Sequence, residues 1–319
     1  MMKKVKIIGN ILMVLSLFYV IRRIINVDWS VIVTKQNIAK ILFCIPLYSL
    51  IILFNVLPWE FLVKIFTKSN FSIKKNYFYF SYIYTKSNLY KYLPGNVFQY
   101  IGRNEICTIL QLEHINVAAA SIMEIIFTFF AGLLSSIILI GNFTIQYFRD
   151  NWHQILPMFI LITVLLILLL FLFFRRERKM LLGLIMDFKK IYNSRDSLVS
   201  LMLCFVIYLF NYIFVTALFI ILMLNCYDIH LSLSQIRIVA GGFIFSWLAG
   251  YITPGAPGGI GVRELIMTTL FKDNSFISTD IVLSSISLFR VVNIFGDILS
   301  FLIILVIFNV FLRNRNFKE

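Results

Sequence analysis

The sequence predicts an all-α, polytopic membrane bundle: about eight transmembrane helices in two pseudo-repeated halves, each with a Pro/Gly-broken re-entrant segment. Three observations predict it. Of 319 residues, 60% are hydrophobic and 14% charged, whereas soluble domains are about half apolar and about a quarter charged. Apolar runs of roughly 20 residues, the length that crosses a hydrocarbon core, recur along the chain. Two segments, one aromatic and polar and one set in an apolar region, are interrupted by Pro-Gly sequences that cannot be interior helix. Proline removes a backbone donor and clashes with the preceding turn, and glycine adds backbone entropy.

The first run, 5–25, follows Lys3, Lys4 and Lys6 and contains Arg22-Arg23 near its end. Its length and the lack of a small-residue cleavage site make it a retained span rather than a signal peptide. Further runs lie at 38–57, 117–141, 154–174 and 198–224. The run 236–252 feeds the second break, and 279–312 has room for two shorter spans. Between the second and third spans, 77–110 is aromatic, polar and broken at Pro94-Gly95, too polar for a lipid-facing helix. Its cluster Tyr77, Phe78, Tyr79, Phe80, Tyr82 and Tyr84 reads as an interfacial belt in preference to a sugar-stacking surface.

The net charge of +14 falls in short loops, most densely at Arg175-Arg176-Glu177-Arg178-Lys179 with Lys189, Lys190 and Arg195. The loops near 142–153 and 225–235 are poor in lysine and arginine. The positive-inside rule then places both termini in the cytoplasm, with eight crossings of the cell membrane and both breaks dipping in from the cytoplasmic side. Arg22, Arg23, Lys35 and Lys40 in the first outer loop stand against it. The chain reads as one integral membrane domain, 1–319, with halves at about 1–175 and 196–319 and a basic linker at 175–197. Basic loops in this setting meet anionic lipid head groups, not nucleic acid. Four scattered cysteines without a C-x-x-C pair and three distant histidines predict no disulfide framework, metal site or cofactor. The absence of a P-loop predicts no nucleotide hydrolysis.

The two breaks resemble each other. The first reads Pro94-Gly95-Asn96, then Gly102-Arg103-Asn104-Glu105; the second reads Pro254-Gly255, then Pro257-Gly258-Gly259-Ile260-Gly261-Val262-Arg263-Glu264. Both are Pro-Gly, a spacer, then Gly-x-x-Glu enclosing an arginine, repeated at an offset of 159 residues. Paired broken segments in two halves point to a transporter-type binding site. A helix that begins inside the membrane aims unpaired N–H groups and its positive dipole end at the cavity, which suits a phosphate or carboxylate. Glu124, Arg290 and Asp297 lie in apolar surroundings as well, and such residues cost about 3 kcal/mol or more each to insert, so each calls for a partner or a function. Arg290 and Asp297, seven residues apart, share a helix face. The alternative is internal pairing that pins helices: Arg290 with Asp297 or a glutamate, and the arginines with the glutamates of the breaks. The candidate substrate-binding set is Pro94, Gly95, Asn96, Gly102, Arg103, Glu105, Glu124, Pro257, Gly258, Gly259, Gly261, Arg263, Glu264 and Arg290. No catalytic residue is assigned.

Through Tyr92-Leu-Pro-Gly-Asn96 with Gly102-Arg103, and through Pro257 to Glu264, the sequence resembles the transmembrane region of lysylphosphatidylglycerol synthases, a flippase-like integral membrane family. The first stretch is similar to the form in members thought to work in surface-glycan assembly. Glu124 falls where the family opens a Glu-Arg-x-x-Asp pattern, of which Ile125 and Thr128 keep nothing; Arg290 has a family counterpart. The resemblance covers residues 5–312 and implies movement of a lipid across the membrane. The soluble lysyl-transferring domain of the full-length synthases is not expected in a chain that ends at Glu319. The implied function is a translocase of an anionic phospholipid or polyprenyl-linked glycan, with glycosyltransferases of a surface-glycan pathway as candidate partners. Two other readings stay open: a non-transporting accessory subunit of a glycan-assembly complex, or a membrane-embedded glycosyl- or acyltransferase. The enzyme reading needs a carboxylate pair or histidine base, and the outer loops offer only Asp28, Asp150 with His153, and Asp228 with His230.

Overall fold

The computed structural model of the chain describes residues 35–67, 73–92, 97–141, 195–253, 257–259, 261–272 and 274–316. The runs expected to span at 5–25 and 154–174 lie outside the described residues, as does the linker up to 194. Among the described residues all regular structure is helical. Five stretches are long and apolar enough to cross a membrane: Asn37–Thr67, His114–Ile140, Arg195–Tyr227, Leu233–Tyr251 and Thr279–Asn309. Leu42, Phe43, Phe130, Ile138, Met202 and Val306 are exposed on these helices, a surface that suits acyl chains and not water.

The first crossing is built from α1 (Lys35–Phe54) and α2 (Val56–Thr67), which break at Asn55. Pro58 causes the break, because it has no N–H for the Phe54 carbonyl four residues earlier. The next helix, α3 (Ile73–Asn88), corrects the expected aromatic belt. From Tyr77 onward none of its residues is exposed. Tyr82 stacks on Phe308 at 4.4 Å between ring centroids, Phe80 meets Trp59 edge-on at 5.4 Å, and the Tyr77 hydroxyl donates to the Leu53 carbonyl at 3.2 Å. These rings are packed between other helices, where they bury large apolar faces and their hydroxyls find internal partners.

A 3-10 turn, Leu89–Tyr92, leads toward the nine-residue α4 (Phe98–Ile106), and a second turn, Cys107–Leu110, precedes α5 (His114–Ile140). The second half holds α6 (Arg195–Tyr227), α7 (Leu233–Ile252), a 3-10 turn at Pro257–Gly259, the nine-residue α8 (Val262–Leu270) and α9 (Thr279–Asn316). Ser232 starts α7 with a capping box: its hydroxyl accepts from the Gln235 N–H while the Gln235 side chain accepts from the Ser232 N–H. α5 and α7 pack through small residues. Ser136 donates to the Gly241 carbonyl at 3.0 Å, and a Cβ on Gly132 would sit 2.7 Å from Leu248 Cδ2. Small side chains let membrane helices approach closely where no hydrophobic force drives them together.

Two expectations about topology change. The block 279–312 is not two spans: α9 is one continuous helix of 38 residues. It contains no proline, and its Gly296 serves a close contact with Tyr48 and the Ile45 carbonyl instead of a turn. At about 1.5 Å per residue α9 exceeds the roughly 30 Å of a hydrocarbon core, so it crosses once with an overhang. The two breaks also do not share one offset in the structure. Both breaks lead into nine-residue helices, but these start at Phe98 and Val262, 164 residues apart, whereas the Gly-x-x-Glu motif recurs at 159.

Candidate functional site

The two broken segments meet. Tyr100 of α4 and Tyr251 of α7 join through their hydroxyls, and Tyr92 lies beside Gly258. Between them and α1, α3, α5, α6 and α9 is a cavity of about 130 Å³ whose walls are largely apolar but carry several charged and amide groups. It is lined by Lys91, Arg103, Arg263 and Arg290, by Glu124, by the amides Asn55, Asn88, Gln99, Asn211 and Asn293, and by tyrosines including Tyr208.

Three of the four cations carry a carboxylate partner. Arg103, 1% exposed, is ion-paired to Glu124 through Nη1 and reaches the Ser87 hydroxyl from Nε at 3.4 Å. Its guanidinium also lies over the rings of Tyr84, Trp59 and Tyr100, at 4.3, 4.8 and 5.6 Å. Lys91 pairs with Asp297 at 2.7 Å, and the same carboxylate accepts from Asn88 at 2.7 Å and from the Tyr92 hydroxyl. Arg290 pairs with Glu264 at 2.6 Å.

Arg263 is the fourth. Among the described residues it has no carboxylate within ion-pair distance, and its buried Nε makes no hydrogen bond. Its guanidinium lies 4.3 Å from the Trp247 ring, a contact worth about 2 kcal/mol when desolvated but one that leaves the charge uncompensated. Two glycines make its slot. A Cβ on Gly250 would stand 2.9 Å from Arg263 Cγ, and one on Gly259 would stand 2.8 Å from both Arg263 Nε and the Gly250 Cα. Gly259 also has φ +72, a left-handed value that costs an L-residue about 1–2 kcal/mol. Gly259→Ala is therefore expected to lower the unfolding free energy in detergent by about 2 kcal/mol or more. Thermal unfolding followed by tryptophan fluorescence checks this, and an unchanged midpoint would refute the close approach.

The structure brings together Arg103, Glu124, Gly258, Arg263 and Arg290 at the cavity. Others take different roles. Gly102 lies inside α4 with its Cα against the Tyr90 ring, not at a helix start. Glu105 is exposed at the end of α4, away from the cavity lining. Pro257 opens the 3-10 turn, and Gly258, Gly259 and Gly261 all have positive φ in the bend before α8. Pro94, Gly95 and Asn96 lie outside the described residues. The largest correction concerns the helix start at α8, expected to be open to a ligand anion. The Glu264 carboxylate occupies it, accepting from the Gly261 N–H at 2.8 Å through Oε2 while Oε1 pairs with Arg290. The positive helix end is thus answered from within.

Arg290 and Asp297 do not pair with each other. Seven residues separate them by about 10.5 Å along a helix axis, beyond ion-pair reach, so each takes a partner from another segment. Lys91, Trp247 and the amides Asn55, Asn211 and Asn293 were not anticipated. Asparagines inside apolar runs are a readable signal, but one that a search limited to ionisable side chains passes over. Comparison with protein-family profiles, curated proteins and solved structures finds no match to this chain.

Proposed function

We propose that the protein is a translocase of the cell membrane for a lipid or glycolipid with an anionic head group, consistent with the sequence resemblance to flippase-like proteins. The observation that carries this reading is Arg263: a cation with no carboxylate in ion-pair distance among the described residues, in a cavity walled by long apolar helices. An ionised group at such a site is costly unless a counter-charge answers it. A lipid phosphate supplies that charge, and Arg290, already paired with Glu264, adds positive potential at the edge of the same cavity. The phosphate is recognised by guanidinium side chains and not by the helix start at α8, since Glu264 fills it. Movement of the lipid between leaflets follows from rocking of helices around this site, as in other transporters built from broken helices.

Native mass spectrometry of the purified full chain tests the reading. The wild-type protein is expected to retain an anionic lipid. Arg263→Ala is expected to weaken that retention about ten- to hundredfold, the worth of one charge-assisted hydrogen-bonding group, with Arg263→Lys intermediate. Equal retention by Arg263→Ala at equal folded yield would overturn the proposal.

A further inference from the structure

We propose that the cavity selects a lipid whose phosphate carries an uncharged, hydroxyl-bearing head group, such as glycerol or a sugar, and rejects an aminoacylated or amine-bearing head. This rests on the anionic-lipid reading above and narrows its substrate class. The selectivity comes from the groups that the protein leaves unsatisfied. Asn55, Asn293 and Tyr208 line the cavity and are only 6%, 7% and 2% exposed. Among the described residues, Asn55 Oδ1, Asn293 Oδ1 and the Tyr208 hydroxyl make no hydrogen bond, although Asn55 Nδ2 donates to Asn211 Oδ1 at 3.0 Å. A buried polar atom left unpaired costs about 1–3 kcal/mol, and three in one cavity mark a surface shaped for a polar guest.

The unpaired atoms specify that guest. Two amide oxygens accept only, and a phenol both donates and accepts. Hydroxyl groups satisfy all three. An ammonium also donates, but among the described residues no carboxylate at the cavity remains to compensate its charge. Glu124, Asp297 and Glu264 are committed to Arg103, Lys91 and Arg290, and the lipid's own phosphate is taken by Arg263. A cationic head would therefore be desolvated without a counter-charge at the place where a neutral polyol meets acceptors. The resemblance to aminoacyl-lipid proteins leads to the opposite expectation, so charge decides between them.

The test uses purified full-length protein in detergent and measures binding of dioctanoyl lipids by microscale thermophoresis. The probes are phosphatidylglycerol, phosphatidic acid, phosphatidylethanolamine and lysylphosphatidylglycerol, with water-soluble glycerophosphoglycerol as the head group alone. Phosphatidylglycerol is expected to bind at least tenfold tighter than phosphatidylethanolamine or lysylphosphatidylglycerol, and tighter than phosphatidic acid or glycerophosphoglycerol. Asn293→Asp, nearly isosteric, is expected to erase the preference or reverse it toward the two amine-bearing lipids. Asn55→Leu is expected to bring phosphatidylglycerol down to the affinity of phosphatidic acid. If the amine-bearing lipids bind wild type as tightly as phosphatidylglycerol, or Asn293→Asp leaves the ranking unchanged, the inference fails. The anionic-lipid reading survives that failure as long as Arg263→Ala still weakens phosphatidic acid. If glycerophosphoglycerol binds as tightly as the lipid, the ligand is a soluble phosphodiester and the proposal is overturned. If no probe binds, both readings fall.

Discussion

Replacing Glu124 with alanine is expected to remove about 3–5 kcal/mol of folding stability, the typical cost of breaking a buried ion pair from one side. Glu124 is 5% exposed and Arg103 1% exposed. Without the carboxylate, the guanidinium keeps its ring contacts with Tyr84, Trp59 and Tyr100 but loses its only charge partner among the described residues. Total stabilities of about 5–15 kcal/mol make such a loss large. Chemical unfolding in detergent, followed by helical circular dichroism, reads the difference. The double replacement Arg103→Leu with Glu124→Leu is expected to recover most of it, since the penalty lies in the orphaned charge and not in the absence of the pair. A Glu124→Ala protein as stable as wild type would show that the rings alone suffice to hold Arg103.

Asp297→Ala is expected to have the second-largest effect, and a more local one. One fully buried carboxylate on α9 holds Asn88 at the end of α3 and both Lys91 and Tyr92 in the following turn. Removing it strands an ammonium and two polar groups, a loss of about 3 kcal/mol or more. Because those groups share one short stretch, the loss is expected to appear as faster amide hydrogen exchange across 73–92, with α5 and α6 little changed. Uniform acceleration over the whole chain would mean that Asp297 supports global stability and does not fasten this segment. Asp297→Asn, which keeps the shape and one acceptor, is expected to lie between the two.

The membrane class was legible because the length and apolarity of α5, α6 and α7 satisfy a one-dimensional rule. α9 escaped in part, since a long apolar block does not itself reveal whether a turn divides it. A glycine in such a block reads as a breaker until its contact with Tyr48 is known. Of the site, Arg103, Glu124, Arg263 and Arg290 were found because a charge in an apolar run announces itself. Pairing of Arg290 with a glutamate was among the readings, but the Lys91–Asp297 pair was not: periodicity tells which face of α9 carries Arg290 and Asp297, but not which segments stand opposite. The helix start at α8 misled for a related reason, because Glu264 read as a ligand-facing group until its side chain was seen folded back on Gly261.

The backbone approach of Gly259 to Gly250 limits how the protein can move. Two chain segments that touch without intervening side chains have little room to slide past each other, so in the proposed transport cycle the Pro257–Gly259 turn is expected to move with α7, and bending to fall on joints elsewhere. Asn55, where Pro58 has already cancelled a helical hydrogen bond, is one such joint, and its side chain lines the cavity.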